Sequence, residues 1–181
     1  GMYASETPLN IERFPFTGLI KTHSAKNLIT DSAAGATAFA CGCKTYNGAI
    51  GVDAKKKPCP NILEQAEANG LATGLVATSS ITHATPASFI AHVEQRSYMQ
   101  DIALYFLKTD IDLFIGGGMR YFNQRSDQRN LIEDLRKKGF VVSDFSIEAL
   151  ERCTVSTQAP FAWFSAAGEP ESVEAGRSYL P

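Results

Sequence analysis

An Asp-Ser pair followed by a run of small residues is the stretch of this sequence best suited to chemistry. Asp31 and Ser32 precede the alanine-rich residues 33–38, which favour a helix. Asp31 suits an N-cap, so the Ser32 hydroxyl would lie in the first helical turn. There, unpaired N–H groups and the helix dipole attract an anion such as phosphate. The same pattern also suits an ordinary capped helix start. The stretch therefore predicts a helix from Ser32 and leaves phosphate binding as a hypothesis.

Other residues of suitable type lie further along the chain. Arg96 carries a planar guanidinium that can grip two phosphate oxygens, although such an arginine also suits a solvated surface. His83 and Thr85 are two residues apart and can face one cation on an extended turn. Threonine oxygen suits Mg²⁺, whereas histidine also suits zinc or cobalt. A plain polar loop residue is the alternative for His83. We expect structural roles for His23 and His92, the latter with a polar partner.

Several longer segments, taken together, resemble the alkaline phosphatase family. They occur in family order and span roughly residues 15–144. The matching segments are residues 30–38, 44–53, 82–87, 91–92 with Arg96, and 115–118. The resemblance implies an α/β fold, an alkaline-phosphatase-like sandwich with a mostly parallel sheet.

The resemblance also implies an activity: phosphate monoester hydrolysis through a phosphoserine intermediate at a Zn²⁺ and Mg²⁺ site. In that reading Ser32 is the nucleophile and a zinc ligand. Arg96 holds the substrate phosphate, and Asp31 orients Arg96 through a salt bridge. His83 and Thr85 would be metal ligands. The family uses either Asp or His at the position of His83, so the metal preferred there stays open.

The family's metal site needs residues that this sequence lacks. Its first strand carries Gly-Asp-Gly-Met-Gly, and its carboxy-terminal half supplies an acidic magnesium ligand, two aspartates and three zinc-binding histidines. This sequence has 3 histidines in total. We therefore expect an internal fragment, without the first strand and the carboxy-terminal half, that is inactive alone. The alternative is a non-catalytic phosphate-binding or interaction module. A Ser-His-Asp hydrolase is disfavoured because there is no Gly-x-Ser-x-Gly motif.

Composition limits the remaining function classes. Among 181 residues, 44% are hydrophobic and 20% are charged, which is typical of a globular protein. The net charge of −2 gives no nucleic-acid-binding character. No apolar run is long enough for a membrane span. We expect one partial α/β domain over residues 1–167 and an irregular tail over residues 168–181. The family implies a periplasmic or extracellular location, although the first residues show no signal-peptide pattern.

Four cysteines are present, at Cys41, Cys43, Cys59 and Cys153. A single residue separates the first two, and this spacing is poor for a zinc site. We expect structural or free thiols. A disulfide from Cys59 is allowed in an oxidising compartment, but the sequence leaves the pairing open.

Strands that alternate with helices predict the mostly parallel sheet. A hairpin is predicted at residues 18–23 and 27–30, and a loop at residues 44–60. Helices are predicted from Ser32 to near Gly42 and at residues 62–69, 86–94, 99–108, 130–138 and 147–152. Strands are predicted at residues 71–78, largely buried, and at 113–115, 140–142 and 160–164. The apolar strands would leave uncovered sheet edges in a partial domain, so we expect self-association or a homodimer.

Overall fold

A four-stranded, fully parallel sheet forms the centre of the computed structural model, which describes residues 7–172 and 175. Its spatial order is β1-β2-β4-β3. The strands are β1 (Gly74–Ser80), β2 (Leu113–Gly117), β3 (Val141–Asp144) and β4 (Phe161–Phe164). The sheet confirms the α/β prediction. The predicted irregular tail lies partly outside the described residues, at 173–174 and 176–181.

Six α-helices surround or precede the sheet within the described residues. They are α1 (Ser32–Cys41), α2 (Ile62–Ala68), α3 (Ala84–Ala87), α4 (Met99–Lys108), α5 (Arg120–Asn123) and α6 (Leu131–Lys137). Short 3-10 helices cover Asn10–Arg13 and Leu150–Arg152. In the part of the chain described here, no helix is both long and apolar enough to cross a membrane.

Polar caps explain where three helices begin. The side chain of Asp31 accepts a hydrogen bond from the backbone of α1, and that of Asn130 does the same for α6. Asn61 and Glu64 form a reciprocal capping box on α2. Gly42 ends α1 in the left-handed region at φ 66°, as glycine does without steric cost. The prediction for α1 is therefore confirmed at both ends.

Aromatic side chains fill the space between the sheet and the helices that follow β1. Phe114 on β2 lies 4.6 Å from Phe106 and 5.8 Å from Phe140, measured between ring centroids. Phe122 on α5 lies 4.9 Å from Phe164 on β4. These rings are buried. Their tilted and edge-to-face arrangements are the favoured geometries for aromatic pairs, so this cluster fixes the helices on the sheet.

The predicted hairpin at residues 18–30 is wrong. This segment is described throughout and contains no strand. The side chains of Leu19, Ile20, Leu28 and Ile29 are largely exposed. A two-stranded hairpin needs an apolar face packed on another layer. Here the segment has no such layer beneath it.

Three other predicted elements differ from the structure, and the helix predicted at residues 147–152 is only a 3-10 helix at Leu150–Arg152. Strand β1 begins at Gly74 and lies at the edge of the sheet, and its first six residues are at least partly exposed. The strand predicted at residues 71–78 is therefore present, but the prediction that it is largely buried is wrong. The predicted helix at 86–94 is reduced to α3, which His83 rather than Thr85 precedes as N-cap. Val93 instead forms an antiparallel bridge with Ile50. Long-range pairing with the loop therefore ends this helix early.

Candidate functional site

Asp31 and Ser32 open helix α1, and the carboxylate of Asp31 organises the turn. Its Oδ1 accepts a hydrogen bond from the backbone N–H of Ala34 at 2.9 Å. This contact caps the helix. Ser32 is the first helical residue and is exposed. The hydroxyl therefore lies at the positive end of the helix dipole and open to solvent.

Helix α1 is docked on α3 through buried hydroxyl groups. Thr37 Oγ1 lies 3.3 Å from Ser88 Oγ, directly after α3. Thr37 Oγ1 also donates to the carbonyl of Ala49 and accepts from the N–H of Gly51. Both hydroxyl-bearing residues are fully buried. Because unpaired buried polar groups are costly, this network fixes the middle of α1 against the end of α3 and against loop residues 49–51.

The guanidinium of Arg96 joins the candidate residues. Its Nη1 donates to Ser32 Oγ at 2.7 Å and lies 3.4 Å from Asp31 Oδ2. Its Nη2 donates to His83 Nε2 at 3.1 Å. The Arg96 side chain is 31% exposed, so it faces solvent while held on one side. The structure thus brings Asp31, Ser32, His83 and Arg96 into one cluster.

The loop after α1 holds Asp31 in place, a contribution that the motif reading did not identify. Gly48 N donates to Asp31 Oδ2 at 3.0 Å, and Asn47 Oδ1 accepts from the backbone N–H of Asp31 at 3.3 Å. The carbonyl of Gly48 accepts from the backbone N–H of Arg96 at 2.7 Å. The Asn-Gly pair marks a turn in sequence, and Gly48 adopts φ 90°. Its contacts with Asp31 and Arg96 are tertiary.

Thr85 lies across a cavity from the cluster. It is exposed, in the first turn of α3, and it lines the same cavity as Ser32, of about 390 Å³. His23 and Lys44 line another part of this cavity. The structure therefore places Thr85 on the same cavity as Ser32, with no hydrogen bond to Arg96.

A complete metal centre does not fit the donors found here. Within residues 7–172 and 175, no three His, Cys, Asp or Glu side chains form a cluster that could hold a metal ion. A guanidinium can only donate, so His83 Nε2 accepts from Arg96 and its lone pair is engaged. Zinc sites use about three protein ligands in addition to the reacting group. Ser32, His83 and Thr85 can supply only part of such a site.

The arrangement is suited to holding a tetrahedral oxyanion. The N-terminus of the ten-residue helix α1 and the guanidinium of Arg96 both lie at the exposed hydroxyl of Ser32. The Ser32 hydroxyl is in contact with a donor rather than a base. The geometry is therefore suited to the binding of an anion at the start of α1.

The cysteine pairing left open by the sequence is resolved. Cys43 and Cys59 form a disulfide that brackets the loop carrying Asn47 and Gly48. Cys41 and Cys153 are free. Burial, with a smaller contribution from the charge of Glu64, raises the pKa of the Cys41 thiol to about 11. This raised pKa disfavours the reactive thiolate form of Cys41 near neutral pH.

Comparisons with known proteins agree on one family. The family model described as alkaline phosphatase matches residues 1–147. The alkaline phosphatase of Schizosaccharomyces pombe is 48% identical over 139 residues, covering 69% of this chain and 26% of that protein. The solved alkaline phosphatase from the Antarctic bacterium TAB5 superposes with a TM-score of 0.87 at 40% identity. This match covers 97% of this chain and 51% of that one.

A variant of the TAB5 enzyme provides one further structural comparison. This histidine-to-aspartate variant, with Mg bound in its M3 site, superposes with a TM-score of 0.86 at 39% identity. The match covers 97% of this chain and 50% of the variant. The chain thus spans about half of these solved enzymes and about a quarter of the curated relative.

Proposed function

The chain belongs to the alkaline phosphatase family, and we propose that it contributes the nucleophile and the phosphate-binding arginine to a phosphate monoesterase. The contact between Arg96 Nη1 and Ser32 Oγ, at 2.7 Å, carries the proposal. The guanidinium of Arg96, which has the shape to hold two phosphate oxygens, lies beside Ser32, the first residue of the capped helix α1. A substrate phosphate between them would accept from the guanidinium and from the first N–H groups of the helix.

In the proposed reaction, Ser32 Oγ attacks the phosphorus and the bond from phosphorus to the ester oxygen breaks. The serine proton leaves to solvent or to a base, and the alcohol departs with a proton. Water then attacks the phosphoserine, which releases inorganic phosphate and restores the hydroxyl. Arg96 would hold two non-bridging oxygens in both steps, and Asp31 would keep the guanidinium oriented.

Zinc and magnesium belong to the proposal through family membership, and the Mg-bound TAB5 variant supports it for that relative. When bound, such an ion would supply a Lewis acid that activates a hydroxyl near neutral pH. Ser32, His83 and Thr85 would be the contributions of this chain. His83 would have to turn its Nε2 away from Arg96 first. The remaining ligands would come from residues outside this chain, so the chain alone would bind phosphate without turnover.

Hydrolysis of p-nitrophenyl phosphate tests whether the chain is inactive alone. The 181-residue chain and its Ser32→Ala variant are compared with both metals added. We expect no difference between them. A substantial rate that disappears in Ser32→Ala would show that the chain already holds a working site. It would refute the hypothesis that the isolated chain is inactive.

Phosphate binding by the chain tests the anion site itself, which the alternative of a non-catalytic phosphate-binding module shares with the proposal. Isothermal titration should give a weak affinity that falls about 10- to 100-fold in Arg96→Ala, since charge-assisted hydrogen bonds are lost. Arg129→Ala is the matched control, because Arg129 is exposed and pairs with Asp134 away from the cluster. Equal affinities in the two variants would remove Arg96 from the proposed site.

Self-association and an oxidising location complete the proposal. The apolar side chains of Phe16, Leu19 and Leu28 are each 90% exposed or more, and such side chains favour burial against another chain. Light scattering that gives a strict monomer at high concentration would contradict this part.

The Cys43–Cys59 disulfide supports a periplasmic or extracellular location. Four titratable thiols after non-reducing purification and denaturation, instead of the two of Cys41 and Cys153, would argue against it.

A further inference from the structure

We propose that His92 is a positioning residue, which fixes the backbone of Arg96 by holding loop residues 48–51 from the side. The inference rests on the proposed role of Arg96 in gripping phosphate. His92 has no contact with Ser32 in this arrangement and acts through the loop. It lies four residues before Arg96, on the irregular segment that follows α3.

One loop residue, Gly48, connects the two charged groups of the site. Its carbonyl accepts from Arg96 N at 2.7 Å, and its N–H donates to Asp31 Oδ2 at 3.0 Å. Two further hydrogen bonds join Ile50 and Val93, at 3.0 and 2.9 Å. A displacement of this loop would therefore move the arginine and the aspartate together.

The side chain of His92 adds one more hydrogen bond between the loop and the segment that carries Arg96. Its Nδ1 lies 2.6 Å from the carbonyl oxygen of Gly51, and its side chain is only 10% exposed. A carbonyl oxygen can only accept, so Nδ1 carries the proton whether the ring is neutral or charged. Gly51 adopts φ 59°, and a Cβ there would collide with Ala91 O and His92 Nδ1. The glycine lets the loop come close enough for this bond.

The orientation of the ring is fixed from two other elements. Its Nε2 lies 2.8 Å from Glu64 Oε1, while Glu64 Oε2 accepts from the backbone N–H of Asn61 in the cap of α2. Tyr105 on α4 packs edge-on against the ring at 5.8 Å and donates its hydroxyl proton to the His92 carbonyl. His92 thus connects the arginine segment to α2 and α4. A ring held this firmly can position the loop.

Isosteric substitutions separate the Nδ1 contact from simple packing. In His92→Asn, the amide nitrogen takes the place of Nδ1 and can still donate to Gly51. In His92→Gln, the amide nitrogen corresponds to Nε2 instead and reaches Glu64. The measurements are amide hydrogen exchange at Arg96, by NMR, and affinity for inorganic phosphate, by titration calorimetry. Glu64→Gln is the control that keeps the α2 cap and the Nδ1 bond.

We expect about tenfold faster exchange at Arg96 and about tenfold weaker phosphate binding in His92→Gln. His92→Asn and Glu64→Gln should stay within about twofold of the unmodified chain. Asn and Gln variants that behave alike would overturn the role of Nδ1. Unchanged exchange at Arg96 in His92→Gln would overturn the proposal entirely. If the exchange pattern is as expected but the unmodified chain binds no phosphate, His92 still positions Arg96 and the proposed phosphate site is wrong.

Discussion

Replacement of Asp31 by alanine should destabilise the protein more than the loss of an ordinary helix cap, because one carboxylate satisfies two parts of the backbone. Its Oδ1 caps α1 and its Oδ2 accepts from the N–H of Gly48, a buried residue. Loss of an N-cap costs about 1 kcal/mol. A buried N–H without a partner adds about 1–2 kcal/mol. The partly exposed pair with Arg96 adds about 0–1 kcal/mol.

The total for Asp31→Ala is about 3 kcal/mol, which lowers Tm by about 6–12 °C in a domain of this size. Urea unfolding at constant m-value, together with calorimetry, measures the effect. Asp31→Asn keeps the oxygen that caps α1, so we expect about half of this loss. Asn130→Ala removes a cap that accepts from a single N–H at the start of α6 and should cost about 1 kcal/mol.

Equal losses in Asp31→Ala and Asn130→Ala would refute the reasoning. They would mean that the N–H of Gly48 finds another partner at no cost and that Asp31 does not connect the loop to the helix. A changed m-value would point instead to a different unfolded state. The comparison therefore tests the tertiary contact separately from the local cap.

Three further perturbations test other parts of the structure. The hydrogen bond from Arg125 lowers the pKa of Asp127, so this contact stabilises the fold above the ordinary aspartate pKa and is lost as pH falls through the lowered value. The difference in Tm between the unmodified chain and Asp127→Asn should shrink towards pH 2. Gly51→Ala should cost about 3 kcal/mol or more in urea unfolding, because a Cβ collides with the facing backbone, whereas Gly18→Ala meets open space and should change little. Alkylation of Cys41 by iodoacetamide should be slow at pH 8 and rise towards pH 11, as mass spectrometry would show, because burial raises its pKa to about 11.

Local chemistry in the sequence determined where several elements begin and end. Asp31 and Gly42 delimit α1, and the periodic apolar residues of Met99–Lys108 give α4 with the predicted bounds. Asn130 and Gly139 flank α6. Caps and left-handed glycines act within a few residues of the chain, so their effect can be read locally. The alternation of strands and helices likewise predicted a parallel sheet.

Tertiary pairing decided the features that the sequence pattern missed. The apolar residues 86–94 read as a helix, but Val93 pairs with Ile50 and helix α3 ends at Ala87. Residues 71–78 read as a buried strand, but β1 lies at the sheet edge. Neither the partner of Val93 nor the place of β1 in the sheet is encoded within a short window.

In the candidate site, too, some features follow from the local sequence and others only from the tertiary structure. The sequence by itself determined that Ser32 opens a capped helix, and the family resemblance selected Arg96, His83 and Thr85. Only the tertiary structure decided that the guanidinium of Arg96 reaches Ser32 at 2.7 Å while its backbone is held by Gly48. A helix cap forms from neighbours in sequence, whereas Arg96 and Ser32 are 64 residues apart and meet only because packed elements and a shared loop bring them together.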